Sequence, residues 1–258
     1  MKTAHAPSAP RVLVLKADRL SADSLRHNIE SVLHPADITV VTSVAAARKV
    51  LTAGKFDLFI TGLGDALEGD PLLLIAQCKK PPLRARRVLV VTTRCDYRAL
   101  AALRTLPVNG VFDAAEEAPE AFASALQTVA EGSPYWSSTI LRKVRQLAVA
   151  PTALFRILTD FEQVVFSVLG DGCDDSAAAQ QLDLKPSTIS SVRRGLHRKL
   201  GIQHRGELVR LAAQQGYVHF TPNGVERPGF ALLAAAYHPR DRKQRAPSGT
   251  PQTATAMA

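Results

Sequence analysis

From Arg11 to about Gly132, short apolar runs alternate with stretches in which apolar residues recur every three or four positions. The runs are RVLVL, DITVVT, FDLFITGL, RRVLVVTT and NGVFDA. Each is short, rich in β-branched residues and apolar at nearly every position, the pattern of a strand covered on both faces. Five such strands separated by helical patterns predict an α/β unit, a parallel sheet with helices on either side. A doubly wound, five-stranded sheet of flavodoxin type is the economical topology, and it puts functional loops at the carboxyl ends of the strands.

The pattern changes after Gly132. STILRKVRQLAVA has helical spacing and is followed by Pro151, which reads as a linker helix and a break over residues 133–156. From Thr159 to Gly216 only helical spacing is present, in four short pieces, so an all-α unit is expected over 157–220. Phe161, Val164, Val165, Val168 and Leu169 make the first apolar stripe, with Gly172 as its left-handed stop. Asp174 or Asp175 caps a second helix through Leu182, where Ala177, Ala178 and Ala179 let a crossing helix approach closely. Asp183 and Leu184 form the turn. Pro186 suits the first position of a third helix, whose stripe is Ile189, Val192, Leu196 and Leu200, ended by Gly201. A fourth runs from Glu207 to Gln215.

Charge sharpens this picture. Between Lys185 and Arg205 the charged residues are Lys185, Arg193, Arg194, Arg198, Lys199 and Arg205, with no acid among them. Basic side chains opposite an apolar stripe are often a mere solvated face. Here the sign of the charge, the order of helices and the turn spacing agree with a helix-turn-helix that offers its third helix to the DNA major groove. The formal net charge of +9 fits a polyanionic partner.

The same residues carry a family resemblance. LTDFEQVV, a glycine-ended first helix, STISSVRRGLHRKLGI and GELVRLA resemble the DNA-binding domain of NarL/LuxR-type (NarL/FixJ) response regulators, over Leu158 to about Gly216. The resemblance implies that residues early in the third helix read base edges, here Ser190, Ser191 and Arg194. Thr188, Arg193, Arg198 and Lys199 then face phosphates, and Lys185, at the start of the same basic field, joins them as a DNA-binding candidate. Arg193 departs from many members, which have an apolar residue there, and is similar to a branch of capsule-synthesis and virulence regulators. In the family the fourth helix pairs two such domains, which makes Leu208, Leu211 and Ala212 dimerisation candidates; the alternative is that they close the core of their own domain.

The N-terminal unit, 11–132, resembles the receiver domain of the same regulators with its chemistry removed. A receiver needs two acids after its first strand to hold Mg²⁺, a phosphoacceptor aspartate after its third and a lysine after its fifth. This chain has Lys16 and Ala17 at the acidic pair, Gly62 at the acceptor and Ala114 at the lysine; of the set, the hydroxyl after the fourth strand remains, as Thr92. A glycine cannot carry a phosphoryl group, and Mg²⁺ requires oxygen ligands. Asp57 reads as structural, Asp18 and Asp65 as loop acids, and Gly62-Leu63-Gly64 as a tight turn.

Other chemistries find little support. Walker motifs, nucleophile elbows and zinc spacings are missing, and His27, His34, His197, His204 and His219 stand alone. No cofactor, metal or enzymatic activity is expected. Cys78, Cys95 and Cys173 form an odd set that suits a reducing cytoplasm. No apolar run reaches the ~20 residues of a membrane span. Residues 221–258 form a semi-apolar extension and a basic tail expected to be disordered, in which Arg240, Arg242, Lys243 and Arg245 offer further DNA contact. The expected function is a DNA-binding transcription regulator whose receiver serves dimerisation or the sensing of a partner or ligand. It would act on double-stranded DNA as a homodimer, or as a heterodimer with another regulator, because one helix reads too few base pairs for genomic specificity. The competing reading is an interaction protein that sequesters a kinase or another regulator.

Overall fold

A computed structural model describes residues 9–63, 69–222 and 224–237. Strands and helices alternate as β1 (Arg11–Leu15), α1 (Arg19–Val32), β2 (Asp37–Val41), α2 (Val44–Ala53), β3 (Phe56–Thr61), α3 (Pro71–Gln77), β4 (Ala85–Thr92), α4 (Tyr97–Leu103), β5 (Gly110–Asp113), α5 (Pro119–Glu131) and β6 (Tyr135–Trp136). The sheet is parallel throughout, in the order β2-β1-β3-β4-β5-β6.

Beyond the first residues of β3 and β4, side chains of the central strands divide by parity. Val12, Val14, Leu58, Ile60, Leu89 and Phe112 face α1 and α5, against Ile29, Phe122 and Leu126. Leu13, Leu15, Phe59, Val88, Val90 and Val111 face the other layer, with Leu51, Leu72 and Leu100. Period-two alternation with both sets buried is what an interior parallel sheet demands. Aspartates at the carboxyl ends of the strands start several helices. Asp18 accepts the N–H groups of Leu20 and Ser21 at 3.2 and 2.9 Å, Asp70 that of Leu72 at 3.0 Å, and Asp96 that of Ala99 at 2.9 Å. Asp18 is therefore a helix cap, and Asp57 accepts the Arg11 N–H at 3.0 Å.

The expected five strands become six. Tyr135 and Trp136 pair with Gly110 and Val111 and extend the sheet from within the stretch read as a linker. Two residues are too few to leave a periodic signal. The helix that follows, α6 (Ser138–Val149), buries Ile140 completely in the sheet's core, and Thr139 donates its hydroxyl to buried Asp113 at 2.8 Å. A short α7 (Leu154–Ile157) then leads into the helical unit.

That unit comprises α8 (Asp160–Leu169), α9 (Asp175–Leu182), α10 (Pro186–Leu200) and α11 (Arg205–Gln214). Thr159 and Glu162 form a reciprocal capping box at the start of α8. The helix stops at Gly170 rather than Gly172. A Cβ on Gly170 would meet that of Ala212 at 2.5 Å, so glycine is required there by the close passage of α11; Gly172, φ 89°, turns the chain two residues later.

Beyond α11 the chain forms a hairpin, β7 (His219–Thr221) with β8 (Gly224–Glu226), and α12 (Phe230–Ala236), which packs on α8. This extension also fastens the two units together. Arg98 of α4, 7% exposed, donates to the carbonyls of Pro228 and Gly229 at 3.3 and 2.9 Å, and its backbone N–H donates to Gln215 O at 2.9 Å. Asp70 accepts the Gly229 N–H at 2.8 Å. Tyr97 stacks between Phe155 and Tyr217 and accepts the Phe155 N–H at 2.5 Å. Gly216, φ 76°, presses against Asp96, leaving no room for a Cβ. Residues 238–258, with Arg240, Arg242, Lys243 and Arg245, lie outside the described residues.

Candidate nucleic-acid interface

The geometry around α10 begins at its turn. Asp183 takes a left-handed conformation, φ 53° and ψ 50°, and Leu184 N–H returns to Ala179 O at 2.9 Å, so the chain reverses tightly between α9 and α10. Pro186 opens α10, and Ile189 and Leu196, both fully buried, pin it against the core formed by Val165, Phe166 and Ala178. With that face fixed, the opposite face is fixed as well. Lys185, Thr188, Ser191, Arg194 and Arg198 follow at intervals of three, three, three and four and share one side. Lys185, Ser191, Arg194 and Arg198 are exposed and Thr188 is half-buried. Among the described residues neither Arg194 nor Arg198 has an intramolecular ion pair or side-chain hydrogen bond.

The remaining predicted contacts are committed elsewhere. Arg193 makes a two-point pair with Asp175 of α9, both bonds 2.9 Å, and Ser190 lies on that flank. The hydrogen bonds from Arg193 hold the Asp175 carboxyl below the usual carboxylate range, against a smaller opposing effect of burial. Lys199 donates to Glu162 at 2.7 Å. Burial raises the Glu162 pKa, and the bonds from Lys199 and Thr159 outweigh it, so the net shift is downward. Arg193 thus fixes α10 on α9, and Lys199 fixes it on the capping box of α8.

Two of the three dimerisation candidates lie inside the helical unit. Leu208 and Ala212 are fully buried in the helical core, with Leu211 packed against its edge. The apolar side of α11 is consumed by α8, the alternative that the spacing had left open. Pairing through Leu208 or Ala212 would require the domain to open.

At the carboxyl end of the sheet, Lys16, Gly62 and Ala114 directly follow β1, β3 and β5, Thr92 is the last residue of β4, and Ala17 follows Lys16. Thr92, 2% exposed, uses its hydroxyl to accept the Arg94 N–H at 2.9 Å, and the Ala114 N–H donates to Thr92 O at 2.9 Å. Arg94 then reaches across to Leu63 O at 2.7 Å while pairing with Asp96 at 2.8 Å. Asp65 and Gly64 lie outside the described residues. Sequence reasoning passed over Arg94, Asp96 and Arg98. The signal available was TTRCDYR itself, a run of charges directly after a buried strand, with an aspartate placed to cap a helix.

Among the described residues no group of histidine, cysteine and acid side chains could hold a metal ion, and no helix is long and apolar enough to cross a membrane. No family model and no curated protein matches the chain. Solved structures do. RcsB from Salmonella enterica serovar Typhimurium, bound to promoter P1flhDC in the presence of phosphomimetic BeF3-, is similar at a TM-score of 0.53 and 20% identity, covering 80% of this chain and 99% of that one. RcsB from the same organism bound to promoter rprA gives 0.50 at 20% identity, covering 80% and 98%. A two-component response regulator RcsB–DNA complex gives 0.50 at 20%, covering 80% and 99%. At this identity the shared property is the fold: the parallel sheet with its helices and the helical unit that follows.

Proposed function

We propose that the chain is a sequence-specific DNA-binding transcription regulator, built from a receiver-like unit over 11–132, a connecting segment over 133–156, a helix-turn-helix over 157–220 and the extension and tail of 221–258. The observation that carries the reading is the α10 stripe. Lys185, Thr188, Ser191, Arg194 and Arg198 share one side of a helix whose other side is rigidly packed, and the two arginines are uncommitted. Guanidinium forks presented this way match the guanine O6/N7 edge and phosphate oxygens. The solved RcsB complexes with DNA add that a chain of this fold can present such a surface to a duplex.

The receiver-like unit works without aspartyl phosphorylation. Gly62 offers no acceptor, Lys16 and Ala17 offer no carboxylate, and Thr92 is engaged by the Arg94 loop. The unit serves instead as a partner-binding or ligand-sensing scaffold, in a homodimer or in a heterodimer with another regulator. With Leu208 and Ala212 buried, dimer contacts come from other surfaces.

Genome-wide capture of DNA on tagged full-length protein, followed by footprinting, tests this reading. The expected result is a protected site with two half-sites about one helical turn apart. Stoichiometric capture of a protein partner with no protected fragment would replace it by the sequestration reading.

A further inference from the structure

The end of the sheet opposite the seam with the helical unit carries a second basic surface. β1, β3 and β4 begin there. Arg11, Lys55, Lys79, Arg84 and Arg86 converge on a concavity of about 500 Å³ whose wall includes the single carboxylate Asp57. That carboxylate is occupied by the Arg11 N–H. The Arg11 guanidinium is held in place: it donates to Lys55 O at 3.0 Å and to Asp37 at 3.3 Å, and lies 4.6 Å from the centroid of the Phe56 ring. Gly54 leaves it the space, since a Cβ there would come within 3.0 Å of Arg11 Nη1. Lys79 donates to a neutral partner, Asn109, at 2.8 Å. Lys55, Arg84 and Arg86 are exposed and, among the described residues, form no ion pair.

Five bases and one carboxylate line this concavity, although over residues 11–132 as a whole acids and bases nearly balance. Crowded like charges repel one another, and a groove with low-dielectric walls concentrates their field on whatever enters. Arg84 immediately precedes β4 and Arg86 is its second residue, and both line the concavity, two forks of the geometry that grips phosphate oxygens.

We infer that this end of the sheet is a second anion site, separate from α10, which takes a chain of phosphate groups from a nucleic-acid backbone or from a free polyphosphate. The full-length protein is titrated with inorganic tripolyphosphate by calorimetry, alongside R194A/R198A, which silences the α10 stripe, and R84A/R86A. Wild type and R194A/R198A should bind alike. R84A/R86A should bind roughly tenfold more weakly or worse, and R84K/R86K should recover part of the loss because charge is kept and the fork is not. A short duplex of scrambled sequence that displaces tripolyphosphate from R194A/R198A assigns the site to nucleic-acid backbone. Failure to displace assigns it to free polyphosphate. Absence of saturable tripolyphosphate binding, or equal affinity in R84A/R86A with unchanged melting of that variant, would overturn the inference.

Discussion

The face of α10 and the loop after β4 have similar composition and opposite circumstances. Both are arginine-rich and both follow a tightly packed element. On α10, Arg194 and Arg198 have no intramolecular ion pair among the described residues. In the loop, Arg94 is tied to Leu63 and Asp96, and just beyond it, in the first turn of α4, Arg98 is buried against the carbonyls of Pro228 and Gly229. A charged side chain with its donors filled is an internal strut, and the same side chain with its donors free is a site for a partner. The contrast also runs inside α10, where Arg193 is a strut and its neighbour Arg194 has no side-chain partner among the described residues.

The largest effect should come from α4, directly after that loop. Arg98→Ala removes a guanidinium that fills two backbone acceptors and packs between the units, leaving the carbonyls of Pro228 and Gly229 buried without donors. The expected loss is about 2–4 kcal/mol in the coupling of the units. Calorimetric unfolding should show the single transition split or broaden. An unchanged melting profile would mean that Arg98 is not the strut its burial implies. Next in size, Arg194→Ala should cost about 1–3 kcal/mol on the specific DNA site and relax base preference at one position per half-site, with melting unchanged. Equal loss on scrambled DNA would place Arg194 on phosphate instead.

The sequence reveals the sheet, the four helices and the basic helix because each rests on a repeated local signal. The short apolar runs of β1, β3 and β4 and the stripe Ile189–Leu196 are local patterns, and the turn at Asp183–Leu184 is spaced. What was not legible is pairwise. The Asp175 carboxylate lies 18 residues before Arg193, and Glu162 lies 37 before Lys199. No periodicity shows that these acids neutralise two of the expected phosphate contacts. β6 is two residues long, and the seam of Arg98 with Gly229 spans 131 positions. The apolar face of α11 was read correctly as apolar, while its occupant, α8, is a fact of packing.

The struts of α10 give smaller, pH-dependent effects. Arg193→Ala should cost about 0.5–1 kcal/mol of stability at neutral pH, because the pair with Asp175 is partly exposed. Asp175 has a folded pKa below its unfolded value, so the stabilisation is present above the unfolded pKa, near 3.9, and is lost as pH falls through the folded value. The stability gap between wild type and Arg193→Ala should therefore be flat above about pH 5 and close below about pH 4. A gap that persists in acid would make the contact one of packing. On DNA, Arg198→Ala should lower the salt slope by about one unit and Lys199→Ala by less, since Lys199 gives up Glu162 to reach phosphate. Titrations at several salt concentrations separate the two.

The smallest expected effect is none at all, and it bears directly on the loop side of the comparison. A phosphorylatable receiver changes state because a new dianion at the end of its third strand recruits the hydroxyl and the lysine around it. On the proposed reading the corresponding positions here are Gly62, which follows β3, and Ala114, which follows β5, while the hydroxyl of Thr92 accepts the Arg94 N–H. Arg94 already reaches the Leu63 carbonyl, and through Asp96 the same loop caps α4, whose Tyr97 and Arg98 grip the helical unit. Among the described residues, the connection from this end of the sheet to the helical unit runs through intramolecular bonds, and on the proposed reading it takes no phosphoryl input. Acetyl phosphate with Mg²⁺ should neither label the full-length protein nor alter its affinity for the DNA site. Intact-mass measurement and retardation of the footprinted fragment, before and after incubation, are the readouts. Acid-labile incorporation of one phosphate together with a shifted affinity would show that an acid outside the described residues, such as Asp65, has taken over the acceptor's role.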